Sequence, residues 1–421
     1  MGSRRRRVAI VGGGISGLTA GFYLQREFEV TIFEKEKWGG KAFTRRVGEY
    51  LFEEGVNGFL NNTPETLQLC EDVGVEPIPA NENSKKRFIY DSSQRRLFRL
   101  PGSPKEFLTS PILSFWGKLR VAGEIFIPKN CKDETIEEFS RRRLGEEFTR
   151  RFITPMVAGI YGATPAQLSV SNAFPRIKEV ECQYGSLIKG MMKLGRGGAP
   201  KGELHSFPRG VSQLIEGIIS KTSGNFVLKE IKELEELKEF DEVILATPAY
   251  ATAQILKSYP RLNQLLNSIK YNPIGVVGLD YREIQPEGFG ILTTDSPTLG
   301  ILMDKYIFPH RNGIRVMVGG GRFPEIAQKS LEEVIEMGEK GVAEITGATS
   351  PKIRWGILHK KGIPIYGLHH RELVAQIEEE ALKIGVHLLG NWKGGVSLND
   401  CVRNGKRLAE KLIAQARKGG R

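Results

Sequence analysis

Three glycines near the start of the chain have the spacing of a phosphate-binding turn. Gly12, Gly14 and Gly17 follow a short apolar run and precede a stretch with helical character. A turn of this kind lets a pyrophosphate approach the backbone, because glycine has no side chain and the helix amino terminus offers free N–H groups. The residues of the turn that we expect to contact a dinucleotide are Gly12, Gly13, Gly14, Ile15, Ser16 and Gly17.

An acidic residue follows at the distance that a ribose contact requires. Glu34 ends a second apolar segment, about twenty residues past the glycines, and Lys35 comes next. A carboxylate at this place accepts hydrogen bonds from ribose hydroxyls, which favours NAD or FAD over NADP. A glycine-rich structural turn is the alternative interpretation, but it gives no reason for the spacing to Glu34.

Length and charge restrict the class of protein. The 421 residues are enough for two or three domains. Lys and Arg total 61 against 49 Asp and Glu, a net charge of +12, which favours acidic lipid or a polycarboxylate substrate as partner. Nucleic acid is not expected, because the chain has no zinc-finger spacing or RNP-like motif. We predict no transmembrane helix and a cytoplasmic protein, with peripheral membrane contact as an alternative.

The cysteines and histidines have no metal-binding spacing. No C-x-x-C pair occurs among the four cysteines, so we expect neither a metal cage nor a disulfide framework, and a reducing compartment. The six histidines show no H-x-x-x-H spacing, so no metal site is expected. The cysteines are Cys70, Cys131, Cys182 and Cys401.

Two segments resemble signatures of the flavin amine oxidase superfamily. Glu34 is followed by Gly39-Gly40-Lys41, which resembles the motif E-x(n)-G-G-[RK]-x-x-T. The stretch 389–402 resembles the closing segment G-x-x-Y-x-G-V-x-[VIL]-x-D-C-I of protoporphyrinogen oxidases, with Trp392 at the tyrosine. The resemblance implies that the double glycine passes the FAD pyrophosphate, with Lys41 beside the cofactor, and that the closing segment lines the isoalloxazine ring.

The same resemblance implies one FAD per chain, bound without a covalent bond because no attachment-cysteine motif matches. Cys401 is then a buried structural thiol, and Asn399 or Asp400 caps a helix over 403–416. The adenine lies against Ile231, with Val227 as the alternative. The further cofactor contacts that it implies are Gly39, Gly40, Lys41, Gly55, Val56, Asn57, Gly58, Val396, Ser397 and Leu398.

The middle of the chain resembles the porphyrinogen oxidase branch. Segments from Arg87 to Ile188 follow the order R-[FY]-[LI]-Y, L-x-x-L-P-x-S-P, F-L-x-S, and residues 359–366 resemble H-x-x-x-I-P-x-Y. The resemblance covers nearly the whole chain. It implies six-electron oxidation of protoporphyrinogen IX with oxygen or a quinone as acceptor, and ferrochelatase as a candidate partner. The close alternative is coproporphyrinogen III oxidation, and the remote ones are an amine oxidase, a carotenoid desaturase or a non-enzymatic flavin scaffold.

The resemblance also assigns substrate contacts. Arg87 pairs with a propionate, and Gly159 brings a backbone carbonyl near the reacting ring. The residues expected to line an apolar slot are Phe289, Leu292, Leu302 and Met317. From spacing alone, these four are ordinary core residues, Arg87 is a solvated surface charge, and Gly159 ends a helix.

We therefore predict an α/β protein with three parts. A Rossmann-like FAD-binding domain comprises 1–78, 203–248 and 385–421, and a mixed-sheet substrate domain comprises 79–101 and 249–384. A helical domain spans 102–202. Within it, aromatic and basic residues alternate over 104–128, a pattern typical of either a membrane interface or a buried helical cap.

Overall fold

The computed structural model describes residues 5–194 and 202–419. The outermost residues of the predicted FAD-binding domain, 1–4 and 420–421, and residues 195–201 of the predicted helical domain lie outside the described residues. The strands are β1 (Arg7–Val11), β2 (Glu29–Glu34), β3 (Thr44–Val47), β4 (Tyr50–Glu53), β5 (Phe59–Leu60), β6 (Ile78–Pro79), β7 (Arg87–Asp91), β8 (Arg96–Arg99), β9 (Leu204–Ser206), β10 (Asn225–Leu228), β11 (Glu242–Leu245), β12 (Tyr271–Asp280), β13 (Gly290–Thr293), β14 (Thr298–Leu302), β15 (Ile314–Gly319), β16 (Ile353–Pro364) and β17 (Val386–Leu388).

Many helices begin where a proline fixes the first turn, since proline lacks the N–H that would be unpaired there. The helices are α1 (Ile15–Leu24), α2 (Pro64–Asp72), α3 (Pro104–Thr109), α4 (Phe115–Ala122), α5 (Ile136–Leu144), α6 (Glu146–Phe148), α7 (Thr154–Tyr161), α8 (Val170–Ala173), α9 (Pro175–Tyr184), α10 (Leu187–Leu194), α11 (Ser212–Lys221), α12 (Ala249–Ile255), α13 (Pro260–Asn267), α14 (Asp304–Ile307), α15 (Leu331–Thr346), α16 (His370–Lys383) and α17 (Leu398–Gly419).

A five-stranded parallel sheet has the order β10-β2-β1-β11-β17. Its central strand β1 is apolar throughout 8–11 and buried, as expected for a strand covered on both faces. All five strands come from the three segments predicted to form the FAD-binding domain. Their carboxyl ends meet at one edge, which is where ligands bind in open parallel sheets.

Helices cover both faces of this sheet. One face packs against α1, α11 and α17. The other packs against α12, α13 and α16, which lie in the segment 249–384 predicted for the substrate domain. The packing therefore differs from the predicted boundaries at 248 and 385, because apolar faces of these helices fit the nearer parallel sheet. The division into domains remains a prediction.

A seven-stranded mixed sheet has the order β16-β12-β15-β14-β13-β7-β8. All of its strand pairs are antiparallel except β13 with β7. These two strands are parallel, and the helical segment is part of the chain that connects them. Helix α15 packs on one face through Val334, Ile335 and Val342. The opposite face contacts the parts of the chain that surround the candidate site. The predicted α/β class with an α+β second part is confirmed.

Helices α3 to α10 form the insertion between β8 and β9, and buried ion pairs hold it together. Arg143 and Glu124 are both fully buried and paired, and Glu124 also accepts hydrogen bonds from the amides of Leu187 (2.9 Å) and Ile188 (3.2 Å). A buried pair of this kind is costly to break from one side, because the remaining charge stays buried. Loss of either residue would therefore destabilise this part of the insertion.

The expectation of no disulfide is wrong. Cys131 and Cys182 are joined in the helical insertion, with Cα atoms 5.5 Å apart. They are 51 residues apart in sequence, so no local sequence pattern indicates the disulfide bond. Cys70 and Cys401 are free and buried. In the described ranges, no helix has the length and apolar character needed to cross a membrane, and no group of three His, Cys, Asp or Glu side chains is placed to hold a metal ion.

Candidate functional site

The turn between β1 and α1 has the geometry of a phosphate cradle. Gly12 adopts φ +112°, and a Cβ there would lie 2.5 Å from the carbonyl oxygen of Ala246. A Cβ at Gly17 would lie 2.1 Å from the oxygen of Gly12, so only glycine lets the helix pack this closely on the turn. Gly14 is the N-cap residue of α1 and has no side chain to hydrogen-bond the first turn. No heavy atom lies within 4 Å of the position that a Cβ would take at Gly14. An anion can therefore reach the free amides of Ile15 and Ser16.

Glu34 and the double glycine complete this edge of the sheet. The Glu34 carboxylate accepts hydrogen bonds from the amides of Gly13 (2.8 Å) and Glu36 (2.9 Å), and it lies at the carboxyl end of β2. The Gly39 amide donates to the Gly13 carbonyl at 2.7 Å, which brings the two glycine segments together. Lys35 is exposed beside Glu34.

Ile231 follows β10 and is buried against Phe33, whereas Val227 is half-buried on β10 itself. Strand β10 ends at Leu228, three residues before Ile231. Both residues lie near Glu34, since β10 pairs with β2 in the register Leu228 to Glu34. Ile231 remains our prediction for the adenine contact.

Lys41 is directed away from solvent. Its ammonium donates to the carbonyl of Lys361 at 3.2 Å and to that of Gly362 in β16. Burial lowers the pKa of Lys41 to about 8, and the nearby Cys401 acts in the opposite direction. His359 on the same strand contacts the Glu54 carbonyl through Nε2 at 2.8 Å, and burial lowers its pKa. These groups lie where the segments predicted to bind FAD meet the seven-stranded sheet.

The segment 54–58 lies in the same place, and a buried arginine fixes its one amide side chain. Arg315 of β15 pairs with Asp304 and donates to the Glu53 carbonyl (3.2 Å) and to Oδ1 of Asn57. Oδ1 is thereby used, and Nδ2 of Asn57 is buried without a hydrogen-bond partner. A buried unpaired donor is costly, so it marks a position where a ligand acceptor belongs. The remaining members of this predicted segment are Gly55, Val56 and Gly58.

The carboxyl end of β17 leads through a glycine-rich loop, Gly390–Val396, into the 22-residue helix α17. This helix begins at Leu398, five residues before the predicted start, and the predicted caps Asn399 and Asp400 lie within its first turn. The cap is Ser397, whose hydroxyl accepts from the Asp400 amide at 3.1 Å, while the Asp400 carboxylate accepts from the Ser397 amide at 3.2 Å. Such reciprocal bonds stabilise a helix start.

Cys401 is buried, as predicted, and burial raises the pKa of its thiol to about 11. It contacts the Ser16 hydroxyl across the crossing of α17 and α1. Trp392 is part of the apolar core between the parallel sheet and α12, α13 and α16. Its indole is fully buried and donates to the Thr247 carbonyl at 3.1 Å, which anchors the loop from behind.

These observations fit a flavin dinucleotide. The glycine turn is open where a side chain of residue 14 would stand, the Glu34 carboxylate lies next to that turn, and Asn57 presents an unused buried donor. The first-turn amides of α1 and α17 are free of intrahelical partners, so both helix termini can face negative charge. The residues that would hold the dinucleotide are those of 12–17, Glu34, Gly39–Lys41, Asn57 and 396–398.

One face of the seven-stranded sheet carries all of the predicted substrate-contact side chains except Phe289 in two neighbouring cross-strand rows. Register partners on adjacent strands project to the same face. The first row is Arg87, Gly290, Leu302 and Arg315, and the second is Ile89, Leu292, Gly300 and Met317. The two rows are two residues apart, so they share the face opposite α15.

Arg87 and Gly159 lie at this face. The Arg87 side chain is exposed, and its guanidinium lies 4.9 Å from the centroid of the Phe289 ring, just before β13. Gly159 lies inside α7, and a Cβ there would be 2.4 Å from Leu292 Cδ2. The alternative that Gly159 ends the helix is wrong, because Gly162, with φ +55°, is the cap.

Three residues near the site were missed. Arg315 received no role because it is a single basic residue within an apolar strand. It is the cross-strand partner of the predicted slot residue Leu302, and that relation could have indicated it. Tyr366 ends a motif that the sequence shows, but that motif received no role. His370 follows it in α16 and contacts the Trp392 carbonyl at 2.8 Å.

Comparison with known proteins agrees with this geometry. A family model described as flavin containing amine oxidoreductase matches residues 15–413. The chain is 26% identical over 467 residues to coproporphyrinogen III oxidase of Bacillus subtilis (strain 168), covering 96% of this chain and 97% of that protein. It is 28% identical over 478 residues to protoporphyrinogen oxidase of Bos taurus, covering 97% and 98%.

Solved structures share the fold. A protein from Exiguobacterium sp. 255-15, provisionally named a protoporphyrinogen oxidase, superposes with a TM-score of 0.85 at 23% identity, covering 98% of this chain and 100% of that one. Reduced UDP-galactopyranose mutase superposes with a TM-score of 0.74 at 13% identity, covering 97% and 96%. The match to the family model spans nearly the whole chain, and the chain belongs to the flavin containing amine oxidoreductases.

Proposed function

We propose that this chain is an FAD-dependent oxidase that converts protoporphyrinogen IX into protoporphyrin IX. The observation that carries the proposal is the pair of rows on the seven-stranded sheet. They place the apolar Leu302 and Met317 on the same face as Arg87, with Arg87 on β7 and Met317 three strands away on β15. A flexible macrocycle with two acidic side chains needs an apolar slot with a cation at its rim. Relatives named for this activity support the assignment.

FAD held by the residues of 12–17, Glu34 and 396–398 would supply two-electron oxidation of the substrate, with oxygen as the proposed final acceptor and hydrogen peroxide as its product. Three such rounds remove six electrons and six protons from the substrate. The chain itself binds, orients and excludes water. Leu292, Leu302 and Met317 cover the ring, and the Gly159 backbone packs directly on Leu292, so the macrocycle would meet α7 at its edge.

Polar groups of the chain hold the cofactor and the substrate in position. Asn57 offers Nδ2 as the donor to an acceptor in the cavity, because Arg315 occupies Oδ1. The amino terminus of α17 provides a positive dipole end for the charge that develops on reduction. Arg87 lies at the rim with its planar guanidinium free of an acidic partner among the described residues, which suits a propionate.

The cofactor is proposed to be non-covalent, one per chain. The free cysteines are Cys70 and Cys401 in the described ranges, and Cys401 contacts Ser16 in the crossing of two helices. Burial raises the pKa of both thiols, to about 12 for Cys70 and about 11 for Cys401. Neither is therefore a ready thiolate for attachment to the flavin.

Coproporphyrinogen III is the second candidate substrate. Relatives from Bacillus subtilis and Staphylococcus aureus carry that name. Its four propionates would need more cations than Arg87, and the exposed Lys86 beside it is available for one of them. Arg315 is not, because Asp304 already neutralises it. Arg87 is thus the guanidinium of the first row that has no acidic partner among the described residues, and a single such group in that row favours the substrate with fewer propionates.

Steady-state turnover of both porphyrinogens, followed by porphyrin fluorescence, tests the proposal. We expect kcat/KM to be higher for protoporphyrinogen IX than for coproporphyrinogen III. The variant Lys86→Ala separates the two substrates further, since it removes the cation available for an additional propionate but leaves Arg87, and it should lower kcat/KM for coproporphyrinogen III more than for protoporphyrinogen IX. The reverse preference would transfer the assignment to coproporphyrinogen III, and turnover of neither substrate would contradict both.

The exposed face of the helical insertion is proposed to rest on a membrane. Phe115, Trp116 and Phe126 are 68%, 76% and 80% exposed, and Leu108 is 66% exposed. Lys118 lies within the same surface. Ile112 and Leu113 are instead buried, so the alternative of a buried cap holds only for that part of 104–128. Large exposed aromatic side chains with interspersed lysines are typical of an interfacial surface.

Vesicle sedimentation tests this surface. Phe115→Ser with Trp116→Ser should reduce binding to vesicles containing anionic lipid. Leu228→Ser is the control, because Leu228 is also exposed, at 65%, but lies on the edge strand β10. Equal sedimentation of all three proteins would contradict the membrane contact.

If the protein binds at a membrane, it would work at the cytoplasmic side. A ferrochelatase, which consumes the porphyrin, is the candidate partner there.

A further inference from the structure

Tyr366 ends the motif H-x-x-x-I-P-x-Y, for which the proposed function provides no role. Its ring is buried, 4% exposed, between the helical insertion and the loop Gly390–Val396. The phenol hydroxyl donates to the carbonyl of Asn391 at 2.8 Å and accepts from the amide of Gly395 at 3.1 Å. A single oxygen atom therefore joins the two ends of the loop.

The loop needs such a connection, because its backbone is unusual. Gly394 and Gly395 adopt φ +70° and +115°, conformations that carry no regular hydrogen-bond ladder. Glycines lose more conformational freedom on ordering than other residues, so an unanchored loop of this composition would be mobile. The loop also ends at Ser397, the cap of α17, so its shape sets the position of the helix terminus.

Neighbouring groups hold the phenol in place. The His370 ring lies 4.2 Å from the Tyr366 ring, centroid to centroid, and His370 Nε2 contacts the Trp392 carbonyl at 2.8 Å. The Trp392 indole is anchored to Thr247 from behind the loop. The backbone of Tyr366 is fixed as well, since its carbonyl accepts from the Ser169 amide at 2.8 Å.

We propose that Tyr366 is a positioning residue that holds the Gly390–Val396 loop in the shape that receives the isoalloxazine ring. It does so by bridging the Asn391 carbonyl and the Gly395 amide. The inference rests on the flavin binding proposed above, but it is independent of which porphyrinogen is oxidised. Tyr366 itself acts through the loop backbone and takes no part in electron transfer.

The test compares Tyr366→Phe with Tyr23→Phe. The control removes the hydroxyl of another buried tyrosine, which donates to Asp72 at 2.8 Å near the end of α1 that is far from the glycine turn. Titration of each apoprotein with FAD should give a dissociation constant about tenfold higher for Tyr366→Phe and unchanged for Tyr23→Phe, because two loop hydrogen bonds are lost in the first. At saturating FAD, the visible flavin band of Tyr366→Phe should be shifted relative to wild type.

A second measurement uses the apoproteins. Hydrogen exchange in the peptide containing 390–397 should be faster in Tyr366→Phe than in wild type or Tyr23→Phe. An unchanged FAD dissociation constant, flavin band and exchange rate in Tyr366→Phe would overturn the inference while flavin binding stands. A wild-type chain that binds no FAD would contradict both the inference and the proposed function.

Discussion

Gly14→Glu tests the phosphate cradle more directly than any other substitution. The backbone at Gly14 has φ −76°, which glutamate adopts without strain, and no heavy atom lies within 4 Å of the Cβ position. The folded chain can therefore accept the side chain. The new carboxylate would stand in the space open toward the free amides of α1, where a pyrophosphate is proposed to bind.

The magnitude follows from Coulomb's law. Two like unit charges about 4 Å apart repel by about 4 kcal/mol at an effective dielectric constant of about 20. Since about 1.4 kcal/mol corresponds to a tenfold change, FAD affinity should fall by about three orders of magnitude. The carboxylate would also accept hydrogen bonds from the same amides, which removes them from the cofactor.

The assay is the flavin content of the purified protein, taken from the ratio of absorbance at about 450 nm to that of the protein. Gly123→Glu is the matched control, because Gly123 has φ −67° and equally open space but lies in the helical insertion. We expect almost no flavin in Gly14→Glu, full flavin in Gly123→Glu, and similar thermal unfolding of both apoproteins. Full flavin content in a folded Gly14→Glu protein would refute the assignment of the cradle.

Three further predictions concern the rim, the cofactor link and pH. Arg87→Ala should raise KM about ten- to a hundredfold with kcat nearly unchanged, because a propionate contact is equal in ground and transition states; steady-state kinetics with an unchanged KM would leave Arg87 as a solvated charge. Acid precipitation should release a yellow supernatant, whereas flavin in the pellet would indicate a covalent bond. The lowered pKa of Lys41, about 8, means that the folded apoprotein binds fewer protons than the unfolded chain between pH 8 and the ordinary lysine value of 10.5, so folding stability gains as pH rises through that window. The variant Lys41→Met lacks this gain. In urea titrations, the free energy of unfolding of Lys41→Met minus that of wild type should therefore fall from pH 7 to pH 10. A difference in unfolding free energy that stays constant with pH would contradict the buried ammonium.

The local part of the site was predictable from sequence. The turn at 12–17, Glu34 and the double glycine each depend on neighbours within a few residues, and the backbone adopts the expected geometry at all of them. Short-range spacing is enough for such a cradle, because the turn, the helix start and the strand end are consecutive in the chain.

Long-range packing set the features that sequence missed. Ser397, Asn399 and Asp400 are all good cap residues, and the packing of α17 on α1 decides which of them caps the helix. Cys131 and Cys182 meet only because α9 folds back on the segment before α5. These contacts depend on tertiary packing, which spacing along the chain does not record.

Arg315 shows the same limit at the site itself. Its partners are Asp304, the first residue of α14, and Glu53 and Asn57 from the predicted flavin-binding segments. A basic residue inside an apolar strand indicates that some acid is near, but not which one. The free Nδ2 of Asn57, and with it a ligand-facing donor, therefore became visible only in three dimensions.

The central claim is that the flavin in this chain accepts electrons from a porphyrinogen. The most direct measurement mixes the FAD-loaded protein with protoporphyrinogen IX in the absence of oxygen and follows flavin absorbance at about 450 nm. We predict that the band bleaches in a single turnover, and that admission of oxygen restores it as porphyrin fluorescence grows. An oxidised band that persists with protoporphyrinogen IX and with coproporphyrinogen III would contradict the account.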